Sequence, residues 1–224
     1  MRKKYAIVVA AGKGLRMKMP VPKQFLSVAG RPVLYHSIAA FLAAYADLEV
    51  ILVLPPDGTE APAGLWEPAD AGRIHLTTGG NTRFDSVKNG LALVEEPAVV
   101  MVHDGVRPLV PVALIHACYA QALAKGSAIP VVPIKDSLRR ITGARHEPVD
   151  RSHYVAIQTP QTFLSEILLP AFAQPYRAAF TDEATVVEAS GHPVHLIAGS
   201  EGNIKITRPV DLHIAAQLFT HNKA

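Results

Sequence analysis

The chain has 224 residues, of which 49% are hydrophobic and 18% charged, a balance that excludes a disordered chain and suits a sheet buried on both faces. A formal charge of +3 is too mild to announce a nucleic-acid or membrane-surface binder, although it tolerates anionic small molecules. Cys118, the one cysteine, excludes an internal disulfide and any cysteine-rich zinc or iron–sulfur site, and it points to a reducing, cytoplasmic setting.

The first apolar run stops at Gly12, too short to span a bilayer, and the basic stretch after it lacks the small-residue pattern of a signal-peptide cleavage site. It reads as a buried strand over residues 5–10. Strand-length runs and helical patterns then alternate: a helix over 32–44, a strand over 49–54, a helix over 86–94, a strand over 98–102, a helix over 111–124 and a strand over 129–133. This is the βαβ signature of an α/β fold with a mainly parallel sheet, whose ligand crevice lies beyond the carboxyl ends of the strands. The loops after Ala10, Leu54, His103 and Val132 are therefore expected to converge. Residues 55–72 read as a long surface connection with a short helix. Residues 134–142 and 149–157 flank a turn and read as a protruding β-hairpin; since an isolated two-stranded hairpin is only marginally stable in water, it is expected to pack on a second copy of the chain. The organisation expected is one domain over 1–224, with 134–157 as a dimerisation arm. Cys118 falls in an apolar helical stretch and reads as core rather than nucleophile. His192 and His195 lack a third ligand at metal spacing and read as ordinary histidines.

Chemistry concentrates in four places. The first is Val9-Ala10-Ala11-Gly12-Lys13-Gly14-Leu15-Arg16, followed by Pro22-Lys23. Small residues at Ala10, Ala11, Gly12 and Gly14 let a phosphate chain approach the backbone N–H groups, and Arg16 and Lys23 add full positive charge. Proline stiffens the segment before Lys23 and lowers the entropy lost in holding its ammonium on a ligand. A Walker loop is excluded by spacing, and the dinucleotide fingerprint is opposed by Met17 where a small residue should stand. The second place is Gly79-Gly80-Asn81-Thr82-Arg83-Phe84-Asp85-Ser86, a glycine turn into a helix, where Asp85 or Ser86 can cap the helix or touch a ligand. The third is His103-Asp104-Gly105-Val106-Arg107 at a strand end; a lone Asp there is often a turn former, but beside a triphosphate Asp104 can hold Mg²⁺. The fourth comprises Arg151, Gln158-Thr159-Pro160-Gln161, Thr181-Asp182-Glu183 and Gly202-Asn203-Ile204-Lys205.

Taken in this order, the motifs resemble the 2-C-methyl-D-erythritol 4-phosphate cytidylyltransferases of the non-mevalonate isoprenoid pathway over nearly the whole chain. The resemblance implies a Rossmann-like nucleotidyltransferase fold, a three-layer sandwich with a β-hairpin arm, in a homodimer interlocked by that arm. The implied reaction takes CTP and methylerythritol phosphate to CDP-methylerythritol and pyrophosphate, with Mg²⁺. Matched by motif, Arg16 and Lys23 correspond to the stabilisers of the transition state. Arg151, reaching across the dimer, and Lys205 correspond to the pair that positions the substrate phosphate. Ala10, Ala11, Gly12, Gly14, Gly80, Asn81, Arg83, Ser86 and Arg107 match nucleotide-binding positions, and Asp104, Ser137, Thr159 and Thr181 match positions lining the substrate. The chain departs from the family pattern at Val9, Asn81, Gly105-Val106 and Ser137, keeping size or hydrogen-bonding capacity. Ribitol 5-phosphate cytidylyltransferases share the first three motifs and stand as the alternative.

Overall fold

A computed structural model describes residues 2–12, 21–56 and 61–221. Its central sheet begins with β1 (Lys3–Val9). A short hairpin of β2 (Ser27–Val28) and β3 (Arg31–Pro32) leads into α1 (Val33–Ala44), and β4 (Leu48–Leu54) follows. Next come β5 (Ile74–Thr78), α2 (Arg83–Leu91), β6 (Ala98–Asp104), α3 (Val112–Lys125) and β7 (Ser127–Pro133). The remaining elements are β8 (Leu138–Thr142), β9 (Arg145–Val149), β10 (Val155–Ile157), β11 (Gln161–Leu164), α4 (Ser165–Ala171), α5 (Glu183–Ala189), β12 (Leu196–Ala198) and α6 (Pro209–His221).

Among the described residues eight strands form one sheet in the order β10-β7-β11-β6-β1-β4-β5, with β12 also on β7. β1 pairs in parallel with β4 and β6, and β5 in parallel with β4, while β11 runs antiparallel between β6 and β7. Alternation along β1 shows why its sequence is apolar throughout. Ala6 and Val8 face the layer of α1 and α3, whereas Tyr5 and Ile7 face that of α2, α4 and α5. Both faces are covered, so neither side of the strand can be polar. Cys118 lies in the first of these cores, and burial pushes its thiol up to about 12, which leaves it inert. A third cluster packs α6 on Val28, Val33, Val106 and Ile206, tying the last helix to the segment that carries Lys205.

Chain reversals are local in origin. α3 ends at Gly126, whose φ of 87° only glycine adopts readily and whose N–H donates to the Ala122 carbonyl at 2.8 Å. α2 and α5 each start with a reciprocal capping box, Thr82 with Asp85 and Asp182 with Thr185.

The expectation for residues 134–157 needs correction. Among the described residues β8 and β9 pair only with each other, from Leu138↔Val149 to Thr142↔Arg145, around a two-residue loop that starts with Gly143 at φ 61°. The second strand of the hairpin is thus Arg145–Val149, and β10 (Val155–Ile157) returns to the main sheet antiparallel to β7. The sequence also hid β5, an edge strand, and β11.

Candidate active site

The carboxyl ends of β1, β4, β5 and β6 open onto a crevice with two compartments. The larger, about 570 Å³, is lined by Val9 to Gly12, Lys23, Gln24, Pro56, the Gly80–Arg83 turn, Ser86, Asp104 and Lys205. The smaller, about 420 Å³, is lined by Arg83, Asp104, Arg107, Gln158, Thr159, Thr181, Asp182 and Lys205 among others. Arg83, Asp104 and Lys205 border both, so the compartments meet at one cluster of charge. The loops after Ala10, Leu54 and His103 converge as expected. The loop after Val132 lines neither compartment; the segment entering β11 takes its place, because an antiparallel strand brings its start, not its end, to this edge.

The glycine loop of β1 is held from below. Gln24, almost fully buried, donates its amide to the Ala10 carbonyl at 2.8 Å and the Gly12 carbonyl at 3.1 Å, fixing the backbone that faces the larger compartment. A Cβ on Gly12 would meet no described atom within 4 Å. The second glycine turn is tight. A Cβ on Gly79 would fall 2.3 Å from that of Ala11, and one on Gly80 2.3 Å from that of Asp85. Of the two candidate caps, Asp85 closes the box with Thr82, while Ser86 Oγ accepts from Gly80 N at 3.1 Å and donates to the Thr82 carbonyl at 2.9 Å. Asn81 is exposed on the rim. Lys23 reaches in from a 3-10 turn after Pro22, its Nζ donating to the Ile206 carbonyl at 2.9 Å. Arg16 and Gly14 lie outside the described residues.

Asp104 is the hub. Its carboxylate receives Lys205 Nζ at 3.0 Å and Arg107 Nε at 3.2 Å, with Arg83 Nη2 at 3.6 Å. Burial alone pushes this carboxyl up, but Arg83, Lys205 and Arg107 outweigh it and hold it well below the usual carboxylate range. Arg83 also pairs through both terminal nitrogens with buried Glu183, whose carboxyl burial pushes above its usual range while Arg83 pulls against it. Behind Asp104 a directional chain sets its place. The Asp104 N–H donates to Thr159 Oγ1 at 3.1 Å, Thr159 Oγ1 meets His103 Nδ1 at 3.0 Å, and His103 Nε2 meets the Arg107 carbonyl at 3.2 Å. A carbonyl only accepts, so Nε2 carries the proton and Nδ1 accepts from the threonine hydroxyl. Burial pushes His103 down to about 4, which keeps the ring neutral. Lys205 is anchored on the other side: Arg107 Nη1 donates to the Asn203 carbonyl at 2.9 Å and Asn203 Nδ2 to the Thr159 carbonyl at 2.8 Å.

Most sequence-predicted residues therefore share one crevice: Ala10, Ala11, Gly12, Lys23, Gly80, Asn81, Arg83, Ser86, Asp104, Arg107, Thr159, Thr181 and Lys205. Ser137 and Arg151 do not. Both are exposed beside the hairpin, and Arg151 Nη1 donates to the Lys135 carbonyl. Gln24 and Glu183 had no role in the sequence reading, since the partners that define them lie elsewhere in the chain. Both oxygens of Asp104, the residue expected to hold Mg²⁺, are approached by cations of the protein itself.

The profile of the 2-C-methyl-D-erythritol 4-phosphate cytidylyltransferase family matches residues 5–221. The chain belongs to this family. The cytidylyltransferase of that name from Bacteroides thetaiotaomicron is 49% identical over 218 residues, covering 97% of this chain and 100% of the relative. The one from Porphyromonas gingivalis is 48% identical over 98% of this chain and 99% of its own. The crystal structure of the Thermus thermophilus cytidylyltransferase superposes with a TM-score of 0.77 at 34% identity, covering 98% of this chain and 100% of that one. The likeness to these cytidylyltransferases runs over nearly the whole chain, not the glycine loop alone.

Proposed function

We propose that this chain transfers a cytidylyl group from CTP to 2-C-methyl-D-erythritol 4-phosphate, releasing pyrophosphate and forming CDP-methylerythritol for isoprenoid synthesis. The observation that carries the reading is the junction of the two compartments, where Arg83 and Lys205 border both a glycine-lined cleft and a second polar cleft. The first suits a triphosphate, through loop N–H groups and Lys23; the second suits a phosphorylated polyol, through Thr159, Thr181, Arg107 and Lys205. A phosphate monoester with its second pKa near 6 is mostly ionised at neutral pH, so it attacks the α-phosphorus in line without a general base. The task left to the protein is to bring two anions together. A cation about 4 Å from a phosphate oxygen contributes roughly 4 kcal/mol at an effective dielectric of 20, and in this reading Lys23 and Arg16 act at the α-phosphate. Asp104 is already approached by cations of the protein, so a divalent ion such as Mg²⁺ would come with the triphosphate and would supply charge neutralisation at its oxygens.

The reading includes a homodimer. Ile141 on β8 is 76% exposed, and Tyr154, Val155 and Ile157 nearby are exposed as well. A second copy that covers them would also bring Arg151 to a crevice it does not reach in its own chain. The lone buried thiol fits a reducing, cytoplasmic setting. No helix among the described residues is long and apolar enough to cross a membrane. The named relatives do not favour ribitol phosphate as the acceptor. Pyrophosphate release from CTP, with methylerythritol phosphate and ribitol phosphate offered in parallel, tests the reading. Turnover confined to methylerythritol phosphate is expected, and turnover with ribitol phosphate alone would replace it with the rival.

A further inference from the structure

The charged junction contains one carboxylate that neither compartment's chemistry requires. Glu183 is 1% exposed, yet both its oxygens are engaged by Arg83, Nη1 to Oε1 and Nη2 to Oε2 at 3.1 Å. The two residues hold the same place in their elements, each the first residue of a helix that starts with a capping box. The start of α5 is tied down again from the sheet: Gln161 Nε2 donates to Asp182 Oδ2 at 2.9 Å, and the Ala184 N–H donates to Gln161 Oε1 at 2.8 Å. Glu183 is therefore a fixed point. Among the described residues Arg83 is not fixed by anything comparable on its crevice side, where Asp104 stands 3.6 Å away and already receives Lys205 and Arg107.

We propose that Glu183 is a positioning residue that aims Arg83 into the junction, so that one guanidinium serves both the nucleotide and the phosphate acceptor. Arg83 holds Glu183 with two parallel contacts, a geometry that fixes the guanidinium plane as well as its distance. The same side chain lines both compartments of the crevice. Without the Glu183 carboxylate, the arginine keeps Asp104 and Asp182 as anionic neighbours among the described residues and turns onto them, away from incoming phosphates. A pair that merely satisfied the core would behave otherwise: its loss would cost stability and leave substrate affinity alone.

The inference rests on the proposed reaction, so the wild-type enzyme in the same pyrophosphate-release assay separates the two. A wild type that turns over neither acceptor sinks the functional reading; an active wild type with unaltered Glu183 variants sinks only this inference. Glu183→Gln is expected to lower kcat/KM by about tenfold or more for CTP and for methylerythritol phosphate alike, with KM rising for both. In an Arg83→Gln background the same change should cost less than about twofold, because the residue through which Glu183 acts is already gone. Equal losses in the two backgrounds overturn the proposal. Should Glu183→Gln fail to fold, the Arg83→Gln/Glu183→Gln pair removes both charges together, and Glu183→Asp keeps the carboxylate but withdraws it by one methylene. Matching kcat/KM in Arg83→Gln and in the pair supports the assignment, whereas wild-type KM values for both substrates in Glu183→Asp overturn it.

Discussion

His103 has no exposed surface and a neutral ring, and its two nitrogens are committed in opposite senses, one donating to the Arg107 carbonyl and the other accepting from Thr159. Protonation would put a second donor where only the threonine hydroxyl stands, next to a cluster already holding Arg83, Arg107 and Lys205. Burial accordingly pushes His103 down to about 4, from an unfolded value of 6.5. The sign follows from linkage: between those values the unfolded chain binds a proton that the folded chain refuses, so stability present at neutral pH is lost as pH falls. Between pH 7 and pH 5 the loss attributable to this ring is about 2 kcal/mol. Glu183 acts in the opposite sense at the acid end, since its carboxyl is raised, and Asp104, held low, keeps its contribution until more acid still. A comparison with His103→Gln isolates the ring. Urea unfolding at pH 7 and pH 5 should show the wild type losing about 2 kcal/mol more than the variant; parallel losses would mean that the ring titrates normally.

At the level of elements, the turn between β5 and α2 is built on close approach. Both glycines there are required by close approach, since Gly80 faces the Asp85 Cβ at 2.3 Å and Asp85 closes the helix cap. Gly80→Ala must therefore push the cap and the loop apart, at a cost of about 1–3 kcal/mol. It should raise KM for CTP while leaving KM for the acceptor nearly unchanged, which steady-state kinetics with each substrate varied in turn would check. Elements of this kind were legible in the sequence because a glycine pair, a cap and a cation lie within one short stretch. Strands buried on both faces were legible for a similar reason, as uninterrupted apolar runs. β5 was not, because as a half-exposed edge it alternates only weakly. β11 was not either, since its buried Gln161 and Thr162 look polar and its antiparallel direction defeats the rule that sites follow strand ends. β10 passed for half of the hairpin, Val155 and Ile157 alternating as an arm strand would. Glu183 stands within a motif the sequence marks out, but its role was not legible, because Arg83, which gives it meaning, lies 100 residues away.

Across the whole molecule, the relation that matters is between the crevice and the hairpin. Lys23 lies within the crevice and Arg151 does not, although both belong to the proposed reaction. Lys23→Ala should lower kcat about a hundredfold or more, equivalent to roughly 3 kcal/mol of transition-state stabilisation. Arg151→Ala should act mainly through KM for the acceptor. If Arg151 serves a partner's crevice, the two defects fall on different halves of a site. A dimer of one Lys23→Ala and one Arg151→Ala chain then contains one crevice with Lys23 intact and the partner's Arg151 supplied, and one crevice lacking both. Random exchange between the two defective proteins makes about half the dimers mixed, so at an acceptor concentration far below the KM of Arg151→Ala activity should recover to about a quarter of the wild-type level. An arginine that acted within its own chain would leave every crevice in the mixture with one defect, and no recovery would follow. Replacing residues 138–149 with a short turn should give a monomer that still binds CTP, measured by calorimetry, but cannot be rescued by mixing.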